Sequence, residues 1–138
     1  MASRVTWYVA SPTSTVEGSA AAWRRDAVFT TSPSKVEDAR RLGADRVAIS
    51  TDPAQMKAQA NRLDFIINTV AVAHDLAPWL RCLRRDGVMT LVGLPEHDQP
   101  GFRANLLTSK RRSLAGSGIG GIAETQEMLD FCGEKGIV

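Results

Sequence analysis

The segment VFTTSPSKVEDARRLGADRV (residues 28–47) contains the pattern of a strand, a helix and a second strand. Val28 and Phe29 form a short apolar run of residues with high β propensity. Ser34 stands in an N-cap position before a helix with acidic residues in its first turn, and Gly43 ends that helix. A strand, a helix and another strand in so short a segment predict a parallel pair joined by a crossover helix.

The same alternation continues along the chain. Further strands are predicted at 44–50, 63–71, 87–95 and 113–121, and further helices at 54–63, 73–87 and 123–136. A short helix is expected within the connection at 97–112. Repeated strand–helix units predict an α/β protein with a doubly wound parallel sheet and helices on both faces.

Apolar residues predict which helix faces are buried. Leu76, Leu80 and Leu83 form a stripe on the helix at 73–87, with helical spacing. Met128, Leu129 and Phe131 are expected to face inward from the last helix, which Gly136 ends. Asp52 and Pro53 occupy favoured cap and first-turn positions of the helix that follows them.

Composition excludes several classes of protein. The chain has 138 residues and a formal net charge of +2, which suits one domain with an ordinary surface. No basic run is interleaved with aromatic residues, so nucleic acid is not an expected partner. No apolar run approaches the roughly 18–20 residues of a membrane helix. Cys82 and Cys132 are far apart, which is typical of reduced thiols, so a cytoplasmic protein is predicted.

Residues 1–25 differ from the rest of the chain. They lack sustained periodicity, and we predict an atypical leader that is disordered or an Ala-rich half-helix. Its one segment of high β propensity is VTWYVA, at 5–10, which can pair with the sheet in place of a missing strand. The regular domain is predicted to cover 26–138.

Four predicted strands end in residues that are small or carry hydroxyls. These ends are TTS at 30–32, NTV at 68–70, VGLP at 92–95 and GSGIGG at 116–121. Ligands of open parallel sheets bind outside the carboxyl ends of the strands, where small side chains allow a close approach. The same residue types are common in the turns of any α/β protein. The pattern favours a nucleotide site over this alternative without excluding it.

The residues after Phe29 indicate which dinucleotide would bind. In a dinucleotide fold an acidic residue commonly follows the second strand and binds the ribose 2′-hydroxyl of NAD. Thr30, Thr31, Ser32 and Lys35 instead provide neutral donors and a positive charge, which suit a 2′-phosphate and therefore NADP. The competing interpretation is a helix cap formed by Ser32 or Ser34 beside a solvated lysine.

Three segments, at 28–47, 63–95 and 110–138, together resemble the coenzyme domain of zinc-type medium-chain alcohol dehydrogenases. The resemblance is to the cinnamyl alcohol dehydrogenase-like branch, and the run GSGIGG-x-x-ETQEMLDFC is distinctive for it. It covers 26–138 in order and implies a Rossmann-like domain. It also implies hydride transfer between NADPH and an aldehyde or primary alcohol, with a zinc ion in full-length relatives polarising the substrate oxygen.

The resemblance further implies which residues bind the cofactor, whereas no catalytic residue and no metal ligand is assigned. The implied cofactor-binding residues are Thr30, Thr31, Ser32 and Lys35 at the 2′-phosphate, Thr69 and Val70 along the adenosine, Val92, Gly93 and Leu94 near the nicotinamide ribose, and Ser117, Gly118 and Ile119 beside the carboxamide.

The chain departs from the family in two respects, so we expect a fragment truncated at both ends. The catalytic domain that supplies the zinc ligands is not represented, and His74, His97, Cys82 and Cys132 lack the spacing of a metal site. The GxGGxG loop and first strand that should precede Val28 are not recognisable, and a shifted reading frame over 1–25 is one explanation. We therefore expect an incomplete sheet, weak NADPH binding and no turnover.

Two functions other than that of a partial dehydrogenase are compatible with the sequence. The first is a non-catalytic nucleotide-binding or dimerisation fragment that forms a homodimer through the edge strand at 113–118. The second is a methyltransferase or another Rossmann-like enzyme that uses the same strand ends. The hydroxyl and lysine cluster after Phe29 does not favour this second alternative.

Overall fold

The computed structural model describes residues 27–136 and, as backbone, residues 5–8. In these ranges the strands are β1 (Val5–Tyr8), β2 (Ala27–Thr30), β3 (Arg46–Ile49), β4 (Leu63–Asn68), β5 (Leu83–Leu91) and β6 (Ser113–Gly116). The helices are α1 (Val36–Arg41), α2 (Pro53–Ala58), α3 (Ala77–Cys82), α4 (Asn105–Thr108) and α5 (Ile122–Lys135), and a 3-10 turn at Pro33–Lys35 precedes α1. The predicted α/β architecture is confirmed.

The strands form two three-stranded sheets, in the orders β1-β2-β3 and β4-β5-β6. β2 and β3 are parallel, and so are all three strands of the second sheet. Parallel pairing places the carboxyl ends of β4, β5 and β6 at one edge, and those of β2 and β3 at one edge of the first sheet. The residues predicted to bind a cofactor follow β2, β4, β5 and β6, except for Thr30, which is the last residue of β2.

β1 takes the position beside β2 and also lies close to β4. The expectation that a segment within 5–10 can pair with the sheet is therefore confirmed for Val5–Tyr8. β1 runs antiparallel to β2, with Val5 opposite Thr30 and Tyr8 opposite Ala27. Its carboxyl end consequently lies at the amino end of β2, away from the strand end where Thr30 lies. The other predictions for 1–25 fall outside the described residues.

The core lies between the strands and α3. Leu76, Leu80 and Leu83 are at most 2% exposed, which confirms the predicted stripe. Trp79 packs edge-to-face on Phe29, with the ring centroids 5.3 Å apart. This contact joins α3 to the first sheet.

The predicted helix at 73–87 is too long. α3 ends at Cys82, and Leu83 already pairs with Leu63 as the first residue of β5. Leu83 is buried in the observed strand, and it would also be buried in the predicted helix. The apolar pattern of the sequence therefore does not distinguish a helix from a strand at this position. An ion pair between Arg84 and Asp64, with 2.8 Å between Nη2 and Oδ2, accompanies the sheet pairing.

Asp52 caps α2 as predicted. One of its carboxylate oxygens accepts hydrogen bonds from the backbone N–H groups of Ala54 (2.8 Å) and Gln55 (3.3 Å). The other accepts from Gln55 Nε2 at 2.9 Å, and these bonds hold the pKa of Asp52 below its usual value. Gln55 Oε1 accepts in turn from Ile49 N at 2.8 Å, which fixes α2 to the end of β3.

The expectation for the last helix is correct in its extent and wrong in its packing. α5 ends at Gly136, whose φ of +63° is the left-handed conformation typical of a C-terminal glycine. Met128, Leu129 and Phe131 are 50–54% exposed, because none of the described elements covers this face of the helix. Within the part of the chain that the structure describes, no helix is long and apolar enough to span a membrane.

Candidate functional site

The segment after β2 is a compact turn. Thr30 is buried, and its hydroxyl oxygen accepts a hydrogen bond from Ser32 N at 3.1 Å. Its O–H donates to the carbonyl oxygen of Ser32 at 3.4 Å, so Thr30 shapes this segment rather than presenting a donor to solvent. Ser32 and Ser34 place their hydroxyl oxygens 2.8 Å apart at the surface, and Thr31 is exposed.

The prediction that Ser34 caps α1 is wrong. Lys35 occupies the N-cap position, and neither it nor Ser32, which precedes the 3-10 turn, makes a side-chain cap. The reason is Pro33, which starts a 3-10 turn and moves the beginning of α1 to Val36. The surface hydroxyls therefore do not have the capping role that the competing interpretation gave them.

The loops after β4 and β5 are bound to each other through Asn68. Its main-chain oxygen accepts from Val92 N at 3.0 Å and Gly93 N at 3.1 Å. A Cβ atom added to Gly93 would lie 2.4 Å from the carbonyl oxygen of Val70. Only glycine allows this approach, so Val70 and Gly93, two of the predicted cofactor residues, are in direct contact.

Asn68 and His74 are structural features that the sequence analysis did not single out as site residues. Asn68 is 2% exposed, and its Nδ2 lies 2.9 Å from Nε2 of His74. The available signal was an asparagine at the end of an apolar strand with a histidine six residues later. This pattern alone does not indicate that the two side chains meet.

The segment after β6 is joined to the end of β5. Ser117 N donates to the carbonyl oxygen of Leu91 at 3.0 Å, so Ser117 lies beside the turn that contains Val92. Gly118 has open space where a Cβ would lie, and Ile119 and Leu94 are 100% and 87% exposed. The structure thus brings the predicted groups after β4, β5 and β6 to one edge of one sheet. The group at 30–35 belongs to the other sheet.

The described residues do not fit a zinc ion. Among residues 27–136 no three His, Cys, Asp or Glu side chains are close enough together to hold a metal. Burial raises the pKa of the Cys82 thiol to about 11, against a smaller lowering by the charge of Arg112. A metal ligand must be a thiolate, so Cys82 is unsuited to this role.

Comparison with known proteins places the chain in a family. A family profile described as "Zinc-binding dehydrogenase" matches residues 25–134. The chain belongs to the zinc-binding dehydrogenase family. The resemblance to zinc-type alcohol dehydrogenases is thereby confirmed.

Two curated members of this zinc-binding dehydrogenase family show its range. The chain is 53% identical over 110 residues to aldehyde reductase YahK of Escherichia coli, a match that covers 80% of this chain and 32% of that protein. It is 46% identical over 112 residues to the NADP-dependent alcohol dehydrogenase C of Mycobacterium tuberculosis, with the same two shares. The chain spans about a third of the length of these relatives.

Solved structures agree with this placement. A cinnamyl alcohol dehydrogenase from Sorghum bicolor superposes with a TM-score of 0.75 at 42% identity, over 81% of this chain and 32% of that one. CAD from Helicobacter pylori, complexed with NADP(H), gives a TM-score of 0.67 at 34% identity, over 80% of this chain and 31% of that one. The Rossmann-like fold expected for the zinc-binding dehydrogenase family is confirmed.

Proposed function

We propose that residues 26–138 form a partial NADP-binding domain of an NADP-dependent aldehyde reductase or alcohol dehydrogenase. The observation that carries this proposal is the turn after β2. It presents Thr31, Ser32 and Ser34 hydroxyls at or near the surface, places Lys35 at the end of the 3-10 turn and contains no carboxylate. Neutral donors and a lysine suit a 2′-phosphate, whereas NAD sites commonly carry an acidic residue there.

The cofactor residues named from the sequence are proposed with one change of role. Thr31, Ser32 and Lys35 would contact the 2′-phosphate. Thr30 is buried and stabilises the turn by accepting the hydrogen bond from Ser32 N. The edge formed by the ends of β4, β5 and β6 would receive the remainder of the dinucleotide. Thr69 and Val70 would lie along the adenosine, and the other proposed contacts are Val92, Gly93, Leu94, Ser117, Gly118 and Ile119.

The chemistry of the full-length relatives is assigned to this chain only in part. NADPH supplies a hydride when bound, and in this lineage the proposed acceptor is an aldehyde. We propose no zinc ligand among residues 27–136, because no described cluster fits a metal. We also propose no catalytic residue, and we expect no detectable aldehyde reduction by the 138-residue chain alone.

Replacement of Lys35 by alanine tests the 2′-phosphate site. We expect NADPH affinity to fall roughly 10- to 150-fold, since a charge-assisted hydrogen bond of this kind is worth roughly 1.5–3 kcal/mol, while NADH affinity stays the same. Chemical-shift titration suits the measurement, because without a recognisable GxGGxG loop NADPH should bind more weakly than micromolar.

The matched control for Lys35 is Lys57→Ala, which removes the same charge from the last turn of α2. The Lys57→Ala variant should have the same ratio of NADPH to NADH affinity as the wild type. S-adenosylmethionine should bind neither the wild type nor this variant. An unchanged ratio in the Lys35 variant would contradict the proposed 2′-phosphate site. Micromolar NADPH binding by the wild type would contradict the expectation of weak binding.

A second proposed function is dimerisation through the strand at 113–118, with an identical copy or a full-length relative as partner. β6 is the last strand in the order β4-β5-β6, and three of its four residues are exposed. An edge strand of this kind has backbone groups available for pairing. This second proposal is independent of cofactor binding.

Sedimentation of two lysine variants tests the dimer. Wild type should sediment as a dimer and Ala115→Lys as a monomer, because a charge on an edge strand opposes pairing. Ser109→Lys adds the same charge at an exposed position after α4 and should remain dimeric. A monomeric wild type would rule out the homodimer.

We also propose a cytoplasmic location. Its support is that both Cys82 and Cys132 are free thiols, as is usual in a reducing compartment.

A further inference from the structure

The buried side chain of Asn68 has a determined orientation. Its Oδ1 lies 3.0 Å from Val70 N, and a backbone N–H can only donate, so this atom is the oxygen. The other end of the amide, Nδ2, therefore faces Nε2 of His74 at 2.9 Å. Nδ2 is a donor, and Nε2 must accept.

The imidazole of His74 is then also determined. Its Nδ1 lies 2.7 Å from the carbonyl oxygen of Val72, which can only accept, so Nδ1 carries the hydrogen. Nε2 faces the donor of Asn68 and carries none. The bond to Val72 requires a hydrogen on Nδ1 and the bond from Asn68 requires a hydrogen-free Nε2, so the two together define the neutral, Nδ1-protonated tautomer.

Besides the bond between them, the two residues make five hydrogen bonds that hold the loop after β4 together and to its surroundings. Asn68 holds Val70 through its side chain, and Val92 and Gly93 through its main-chain oxygen. His74 closes the loop on Val72 and also donates from its backbone N–H to Gln99 Oε1 at 3.1 Å. The carbonyl of Val70 is thereby held against Gly93.

We infer that Asn68 and His74 are positioning residues, which hold the loop after β4 against the turn after β5 through a fixed Nδ1–H tautomer of His74. Neither residue needs to touch the cofactor. Their action is on the main chain of Val70 and Gly93, two residues in the proposed dinucleotide site. The link to NADPH rests on the proposed function, whereas the tautomer and the loop geometry do not.

The tautomer is measured directly by NMR. In the ¹⁵N-labelled protein, long-range ¹H–¹⁵N spectra should show His74 with a protonated Nδ1 and a hydrogen-free Nε2. His97, the other histidine of the chain, is exposed and provides an internal reference. Assignment follows from His97→Gln, which removes the other histidine signal at an exposed position. A protonated Nε2 on His74 would overturn the inference, and the tautomer itself is measured on the wild type without a nucleotide.

Two replacements of Asn68 separate positioning from packing. Asn68→Ala should speed hydrogen exchange at the Val70 amide about tenfold or more and weaken NADPH binding about tenfold. Asn68→Asp keeps an acceptor for Val70 N, so hydrogen exchange at the Val70 amide should stay within about threefold of the wild-type rate in this variant. If hydrogen exchange at the Val70 amide is accelerated equally in Asn68→Ala and Asn68→Asp, the inference is overturned. The acceptor oxygen at position 68 would then have no effect on the loop.

The nucleotide arm distinguishes the two proposals. NADPH could bind neither the wild type nor the variants while the His74 tautomer and the exchange rates at Val70 are as expected. In that case the proposed function fails and the positioning inference stands. If NADPH binds the wild type and Asn68→Ala equally well, the link between this pair and the cofactor site is overturned.

Discussion

Replacement of Arg112 by methionine should lower the free energy of unfolding by about 3 kcal/mol, because the buried carbonyl of Leu83 and two partly buried acceptors lose this donor at once. Arg112 is 8% exposed. Its guanidinium donates to the carbonyl oxygens of Leu83 and Leu106, each at 2.9 Å, and to Asn61 Oδ1 at 3.0 Å. Methionine fills a similar volume but leaves these oxygens without that partner.

The expected loss is large relative to the whole stability of a domain, which is roughly 5–15 kcal/mol. Arg112 joins the start of β5, α4 and the turn before β4, three elements that are distant in sequence. Urea denaturation followed by circular dichroism gives the free energy and shows whether the variant still unfolds cooperatively.

Arg111 provides a matched control one residue away. It makes a bidentate ion pair with Asp86, with both N–O distances 2.7 Å, and both side chains are more than half exposed. Exposed pairs contribute little, so Arg111→Met should leave the urea midpoint nearly unchanged. Similar losses in the two variants would show that burial of the Arg112 network is not the cause.

Replacement of Gly93 by alanine should cost about 2–3 kcal/mol of stability, as expected for a side chain forced into filled space. The added Cβ would lie 2.4 Å from the oxygen of Val70, closer than atoms can approach. The turn after β5 must move away from the loop after β4, and the hydrogen bonds from Val92 N and Gly93 N to Asn68 should weaken.

Gly93→Ala should also reduce NADPH binding, because the displaced turn belongs to the proposed cofactor edge. Thermal unfolding measures the first effect, and NADPH titration measures the second. Gly101→Ala is the control, since a Cβ there meets no heavy atom within 4 Å and Gly101 is not one of the proposed cofactor contacts. A Gly93 variant as stable as the Gly101 variant would contradict the steric argument.

Much of the fold could be predicted because its signals are local. The apolar run before Thr30, the Asp52-Pro53 start of α2 and the glycines that end α1 and α5 each depend on neighbours within a few residues. The boundary between α3 and β5 was wrong, since Leu83 satisfies the apolar spacing of a helix and of a strand equally. The burial expected for Met128 and its neighbours was wrong because an apolar face does not specify what covers it.

The candidate site was predicted as groups of residues and not as an arrangement. Strand ends rich in Gly, Ser and Thr follow from the parallel-sheet pattern, and the absence of an acidic residue after β2 follows from the sequence itself. The contact of Val70 with Gly93 and the Asn68–His74 bond could not be predicted. They depend on the distance between two loops, which the packing of β4 against β5 determines.

By itself the sequence determined the α/β class, because residue type and spacing carry hydrophobic periodicity directly, and its resemblance to known segments indicated the family. The hydroxyls and the lysine after β2 led to the proposal of NADP. Only the tertiary structure decided the antiparallel direction of β1, the internal use of the Thr30 hydroxyl and the role of Asn68 as a junction between loops. The physical reason is that each of these features has a main-chain group as at least one of its hydrogen-bonding partners. Every residue carries the same main-chain groups, so their partners are chosen by folding and not by side-chain identity.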